Sequence, residues 1–429
     1  MAGSIQPAVS IVIPAYNKEE FISACLDSAI HQTLANIEII VVDDGSMDNT
    51  RNIISEYARN DSRIINLSHR SNRGLHATRL TGVAQASGLY TMFLDADDTL
   101  ALTACESLHN FAKARPDADI IRYGLQVEIA NTEETALRIA VEDLFNATVG
   151  DCNHSQILQA SFSPPRGLWV PWNVATSLFR TPLIQQAFAD LSDARLNKIE
   201  DGYEYLAICA LSRKLYSFVE YRGLRYHFGR GISSRTTTSL DIFNKDQHSA
   251  WEANQAVQDF ARKNNSEDII TASQNFQARS LKIVGDDFVE RLQTENYLEG
   301  LHILQKTWGN ENAYRALHEH INNHLYAELI EDAFPLTEKY ALWSSLFSHA
   351  TTGVQLNLND TEQAIHESTQ HILEQICSTT AERERLAYEE SLRIFKTGTK
   401  ARYYFDKFIP LGTHRRSIAR RLAKLLLRR

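Results

Sequence analysis

The stretch TMFLDADDTL, residues 91–100, sets Asp95, Asp97 and Asp98 within four positions behind an apolar run. Carboxylates crowded this closely repel. They persist where a cation sits among them or where one of them does chemistry. A second acidic pair, Glu200-Asp201, lies in IEDGYEYLAICAL (199–211). Such a pair can accept a proton from a reacting hydroxyl, or simply favour the start of a helix.

The elements around these residues alternate. VSIVIPAY (9–16), IEIIVVDD (37–44), RIINLSH (63–69) and LYTMFLD (89–95) read as short, continuously apolar strands. EEFISACLDSAIHQT (19–33), SMDNTRNIISEYARN (46–60) and GLHATRLTGVAQAS (74–87) have helical spacing between them. Strand–helix alternation with apolar strands predicts a parallel sheet covered on both faces. Ligands bind beyond the carboxyl ends of such strands. Asp43, Asp44, Asp95, Asp97 and Asp98 all fall there.

From about 100 to 235 the pattern is mixed, and from about 245 to 395 it reads as helix after helix. A chain of 429 residues is too long for one core. We expect a first domain over 1–240, with halves 1–100 and 101–240, a helical domain over 241–395, and a tail over 396–429. The helical region is open to acceptor binding or to self-association as a homo-oligomer. The five cysteines are scattered and form no C-x-x-C pair, as in a reducing compartment. No run of eighteen apolar residues is present, and the start lacks the pattern of a secretion signal. The expected location is therefore the cytoplasm. The net charge is −9, yet the last fifteen residues, RRSIARRLAKLLLRR, hold seven basic residues and no acid. On a helical wheel that tail is amphipathic, which suits an anionic membrane surface, or packing on the acidic body of the chain or on a partner. The expected place is thus the inner face of the cell membrane; an acidic body argues against nucleic acid. There is no P-loop or G-x-G-x-x-G motif. HEHINNH (318–324) reads as an ordinary helix surface rather than a zinc site.

The acidic stretch resembles two families. In the haloacid-dehalogenase-like phosphatases, Asp95 would be the phosphoryl acceptor and Asp97 an acid/base. In the family 2 glycosyltransferases of GT-A fold, the strand-end Asp-x-Asp holds a divalent metal on the diphosphate of a sugar nucleotide. Context favours the second. The motif follows a fourth strand rather than a first, Asp98 stands where the phosphatase has Gly, and no later strand-end Asp pair completes its metal site. VSIVIPAYNKEEFISACLDSAIHQT, IEIIVVDDGSMDNT and NRGLHATRLTGVAQASGLYTMFLDADD look like the glycosyltransferase family's successive motifs over 9–100, and the resemblance weakens toward 235.

That resemblance implies a GT-A, Rossmann-like α/β domain followed by a mainly helical one. It implies an inverting transfer from a nucleotide sugar, most plausibly a UDP-sugar, to a hydroxyl of a surface glycan or lipid-linked acceptor. Pro14, Ala15, Tyr16, Asp44, Arg79, Asp95, Ala96 and Asp97 would bind the nucleotide sugar. Asp97 and Asp98 would hold Mn²⁺ or Mg²⁺. Asp201 would be the base, with Glu200, Trp169, Trp172, His227 and Arg230 as acceptor or lid candidates. The chain departs from the family at Leu80, where Asn is usual, and at His227, where Arg is usual. The alternatives are the phosphohydrolase using Asp95, and a non-catalytic nucleotide-sugar binding protein.

Overall fold

The structure is a computed structural model that describes residues 6–129, 135–148, 150–163, 171–172, 174–230, 237–331 and 337–395. In chain order the elements are β1 (Val9–Ala15), α1 (Ile22–Ile30), β2 (Ile37–Asp43), α2 (Thr50–Asn60), β3 (Ile64–Ser68), α3 (Leu75–Gln85) and β4 (Tyr90–Phe93). There follow β5 (Thr99–Leu100), α4 (Ala104–Lys113), β6 (Ile120–Glu128), α5 (Thr135–Phe145), β7 (Cys152–Asn153) and α6 (Ser155–Phe162). Then come β8 (Ser177–Arg180), α7 (Thr181–Ala189), α8 (Glu200–Leu211) and β9 (Lys214–His227). Helices alone follow: α9 (Leu240–Asn264), α10 (Glu267–Arg291), α11 (Tyr297–Trp308), α12 (Asn310–Glu331), α13 (Glu338–Thr351) and α14 (Asp360–Phe395).

One mixed sheet has the order β3-β2-β1-β4-β8-β6-β9-β5, with β7 added on β9. β1 pairs in parallel with β2 and β4, and β2 with β3. β8 is antiparallel to both β4 and β6. Every residue of β1 and β2 is buried, as expected for strands covered on both faces. The polar residues among them are paired: Glu38 accepts from Ser10 Oγ at 2.5 Å and from the Ser87 and Gly88 backbone N–H groups. The carboxyl ends of β1, β2 and β4 then open side by side, where the strand order reverses. The turn after β2 needs Gly45: its φ is +73°, and a Cβ there would lie 2.8 Å from the Ser71 backbone.

The chain separates into two compact units, residues 1–312 and 313–429. Helices α9, α10 and α11 belong to the first unit, because their apolar faces are buried within it. Phe243, Val257, Phe276 and Phe288 are all at most a few percent exposed. α9 and α10 also tie down the loop before α8. Ser249 Oγ accepts from the Asn197 and Lys198 N–H groups, and Lys198 Nζ lies 2.6 Å from Asp287 Oδ2.

The described part of the second unit is built of helices. Tyr314 Oη lies 2.8 Å from His366 Nδ1, Arg315 pairs with Glu362 at 3.0 Å, and the His324 and Trp343 rings stack at 4.1 Å. The tail from 396 onward lies outside the described residues. Among the described residues no helix is long and apolar enough to cross a membrane.

Candidate active site

β4 carries the acidic stretch to the carboxyl edge of the sheet, and the chain turns at once. Asp98 N–H bonds back to Asp95 O at 2.9 Å. The three carboxylates therefore point into different surroundings. Asp97 Oδ2 is 2.5 Å from Lys18 Nζ, contributed by the loop after β1. Asp98 is 3% exposed and accepts the His227 backbone N–H at 2.8 Å. Burial, together with the charges of Asp95 and Asp97, pushes its carboxyl up to about 6. Burial also raises Asp95, against the pull of Arg79, whose Nη2 stands 3.4 Å away. Crowded, reluctant carboxylates of this kind are what a cation relieves.

Divalent-metal donors are present here in type. Asp97 and Asp98 supply oxygen. His227 Nδ1 is buried without a hydrogen-bond partner among the described residues, 3.8 Å from Asp98 Oδ1. No ready-made group of three His, Cys, Asp or Glu ligands exists among the described residues.

At the end of β1, Pro14 and Ala15 are buried and Tyr16 is 37% exposed, leaving an aromatic face at the sheet edge. Ala96 is buried. Asp44 follows β2 and is buried. Its Oδ1 accepts from Arg73 N–H at 2.8 Å and lies 2.6 Å from His69 Nδ1, and its Oδ2 accepts from Gly74 N–H at 2.8 Å. At 2% exposure the carboxylate organises the turn into α3.

Across the site, α8 begins at Glu200. The residue before it, Ile199, has φ +64° and ψ 8°, a left-handed conformation that a β-branched residue rarely holds. Strain at this point aims the first turn of the helix. Asp201 Oδ1 accepts the Gly202 N–H at 2.9 Å. Burial, then the charges of Glu200 and Glu204, push the Asp201 carboxyl up to about 8, with Arg79 opposing. Gly202 is required by packing: a Cβ there would meet Trp172 at 2.5 Å and Phe276 at 2.7 Å.

Arg79, 3% exposed, links the two sides. Its Nη1 reaches Glu204 Oε2 at 3.0 Å and Glu200 Oε1 at 3.4 Å, while its Nη2 faces Asp95. Burial works against its charge, but Glu204, Asp95, Glu200 and Asp201 together raise its proton affinity above the usual arginine value.

Trp172 is buried. Its ring stacks on Phe162 and Phe276, with the Arg279 guanidinium 4.0 Å from its centroid, and its Nε1 donates to Ser161 O. At 5% exposure it packs against the Gly202 turn of α8. Trp169 lies outside the described residues. Arg230 is exposed. Its guanidinium covers the Phe21 ring at 4.8 Å and its carbonyl lies 3.5 Å from Lys18 Nζ.

Four residues near the site escaped the sequence reading: Lys18, His76, Glu204 and Arg279. Two of them had a signal. His76 stands three residues before Arg79 and Glu204 four after Glu200, so each shares a helix face with a named residue. Lys18 and Arg279 had none, because their partners are distant in sequence.

The family described as Glycosyl transferase family 2 matches residues 10–148. The chain is 42% identical over 118 residues to the uncharacterized glycosyltransferase EpsJ of Bacillus subtilis, covering 28% of this chain and 34% of that protein. It is 46% identical over 90 residues to the UDP-Glc:alpha-D-GlcNAc-diphosphoundecaprenol beta-1,3-glucosyltransferase WfgD of Escherichia coli, covering 21% of this chain and 35% of that one. The chain thus spans about a third of the length of these curated relatives. Among solved structures, S. aureus TarS 1-349 aligns with TM-score 0.51 at 15% identity, over 82% of this chain and 93% of that one. That likeness is one of fold: a mixed α/β domain of GT-A type followed by helices.

Proposed function

From the family 2 glycosyltransferase domain that residues 10–148 form, we propose that the protein moves a sugar from a UDP-sugar to a hydroxyl of a cell-surface glycan or lipid-linked acceptor, with inversion. The observation that carries this reading is a juxtaposition. Arg79 touches both Asp95 at the donor edge and Glu200 beside Asp201, which come from opposite halves of the domain. An in-line displacement needs its leaving group and its base on opposite sides of one reacting carbon. The similarity to WfgD, whose name specifies a UDP-Glc donor and a lipid diphosphate acceptor, supports the choice of donor and acceptor class.

In this mechanism Tyr16 stacks on the nucleotide base, and the Asp95–Asp98 turn receives the ribose and diphosphate. Asp97 and Asp98, with His227 Nδ1 beside them, would hold Mn²⁺ or Mg²⁺. Once bound, that ion neutralises the diphosphate. Asp201 takes the acceptor hydroxyl proton as the oxygen bonds to the anomeric carbon and the carbon–oxygen bond to the diphosphate breaks. A carboxyl of raised proton affinity suits that task when ionised. Lys18 and the Arg230 loop close the donor edge. The phosphohydrolase reading loses support because the acidic stretch ends the fourth strand of a family 2 domain. The basic tail would hold the protein on the anionic inner face of the membrane, near a lipid-linked acceptor.

The test is calorimetric titration with UDP, with and without Mn²⁺, on the wild type and on Asp97→Ala, beside transfer from UDP-glucose by Asp201→Asn. Metal-dependent UDP binding lost in the first variant, and transfer lost in the second with UDP binding kept, support the reading. Absence of UDP binding in every condition overturns the donor assignment. Transfer that survives Asp201→Asn overturns the base.

A further inference from the structure

Between the strand-end acids and Asp201 lies a buried charge cluster that the reaction itself does not explain. His76 and Glu204 are wholly buried, and Arg79 and Glu200 nearly so. Charges in such a place are costly unless their hydrogen bonds are complete. Those of Glu204 are well supplied. Oε2 accepts from Arg79 Nη1 at 3.0 Å, and Oε1 lies 2.8 Å from His76 Nδ1. His76 Nε2 in turn stands 2.9 Å from Ser192 O. A carbonyl oxygen only accepts, so Nε2 carries a hydrogen, and His76 and Glu204 share one further proton across Nδ1 and Oε1. The position of His76 is fixed from a third side, where its backbone N–H donates to Leu196 O at 3.2 Å.

Asp201 has a different environment. Its carboxylate accepts the Gly202 N–H at 2.9 Å and no hydrogen bond from a cation among the described residues. The Arg79 Nη1 and Nη2 donors go instead to Glu204, Glu200 and Asp95.

We propose that Glu204 is a positioning residue for sugar transfer: anchored by His76, it holds the Arg79 guanidinium on Glu200 and Asp95, so that Asp201 stays free of a charge-assisted hydrogen bond and remains a strong base. The inference rests on Asp201 being the base. The groups that face Asp201 are Glu200 and Glu204 on its own helix, Arg79 from α3, and Arg279 from α10, with Asp95 acting through Arg79. Burial and the two glutamates push its carboxyl up to about 8 while Arg79 pulls it down, which is the balance that Glu204 sets.

Two variants of the full chain move that balance in opposite directions. Glu204→Gln removes a negative charge and releases Arg79 toward Asp201, so the Asp201 proton affinity falls. His76→Gln removes a positive charge beside Glu204 but leaves the glutamate, so the Asp201 affinity stays or rises slightly. The readout is carboxyl-stretch infrared titration from about pH 5 to about pH 10, each background taken as a difference against the same protein carrying Asp201→Asn. We expect the Asp201 titration to move down by about one pH unit or more in Glu204→Gln and not to move down in His76→Gln. The rising limb of UDP release from UDP-glucose follows the same displacement, with the donor KM little changed. An unmoved Asp201 titration in Glu204→Gln overturns the proposal, as does a downward move of similar size in both variants, which is what general loosening gives. If UDP release survives Asp201→Asn alone, the base assignment fails instead, so the two failures are distinct.

Discussion

The acids at the end of β4 and those at the start of α8 are the same residue types in opposite circumstances. Asp97 and Asp98 sit on a tight turn, held by Lys18 and by the His227 backbone. Asp201 lies beside two further carboxylates and accepts the Gly202 backbone N–H. Burial raises both Asp98 and Asp201, to about 6 and about 8 respectively. In the proposed mechanism the first region would hold a cation near neutral pH, and the second would exchange a proton. Environment, not residue type, divides the labour.

The largest expected effect breaks the comparison at Asp201. Asp201→Asn should lower transfer by roughly 100- to 10,000-fold, the usual worth of a general base, while calorimetry finds UDP affinity unchanged. A steady-state pH profile comes next. Asp201 must be ionised to act, so kcat/KM should climb about tenfold per pH unit below its titration and level off above it, near pH 8. The same shift has a consequence for stability. A carboxyl whose folded pKa lies above its unfolded value binds protons more tightly when folded, so its contribution falls as pH rises from about 4 through about 8. Thermal melts above that range should therefore find Asp201→Asn more stable than the wild type.

Asp97→Ala, at the other pole, should weaken UDP binding in Mn²⁺ by about tenfold or more, worth about 1.4 kcal/mol, and leave the pH limb in place. The last expected effect falls on stability rather than on catalysis or donor binding. Gly202→Ala puts a methyl against Trp172 and Phe276, and denaturant unfolding should show a loss of about 1–3 kcal/mol.

Much of this was legible without coordinates. The apolar runs and helical spacings of the first hundred residues place β1 to β4 and α1 to α3 close to where they fall, because strands buried on both faces read as continuous apolar segments. Asp95, Asp97 and Asp98 were locatable at a strand end by the same reasoning. Asp44 and Trp172 were not legible in this way. A carboxylate can serve a ligand or a turn, and an indole can face a sugar or a core. The choice depends on what the fold sets against them: here the Arg73 and Gly74 N–H groups, and Phe162 and Phe276.

The sequence by itself determined the first four parallel strands and the strand-end position of the acids. These depend on periodicity and on neighbours a few positions apart. Tertiary structure alone decided that α9 to α11 join the first unit, that Arg79 spans from Asp95 to Glu200, and that Glu204 and His76 stand behind it. Those contacts join residues more than a hundred positions apart, apart from Arg79 with Asp95. Proton affinity in a buried cluster follows from the summed distances among its charges, and no local pattern in the chain encodes that sum.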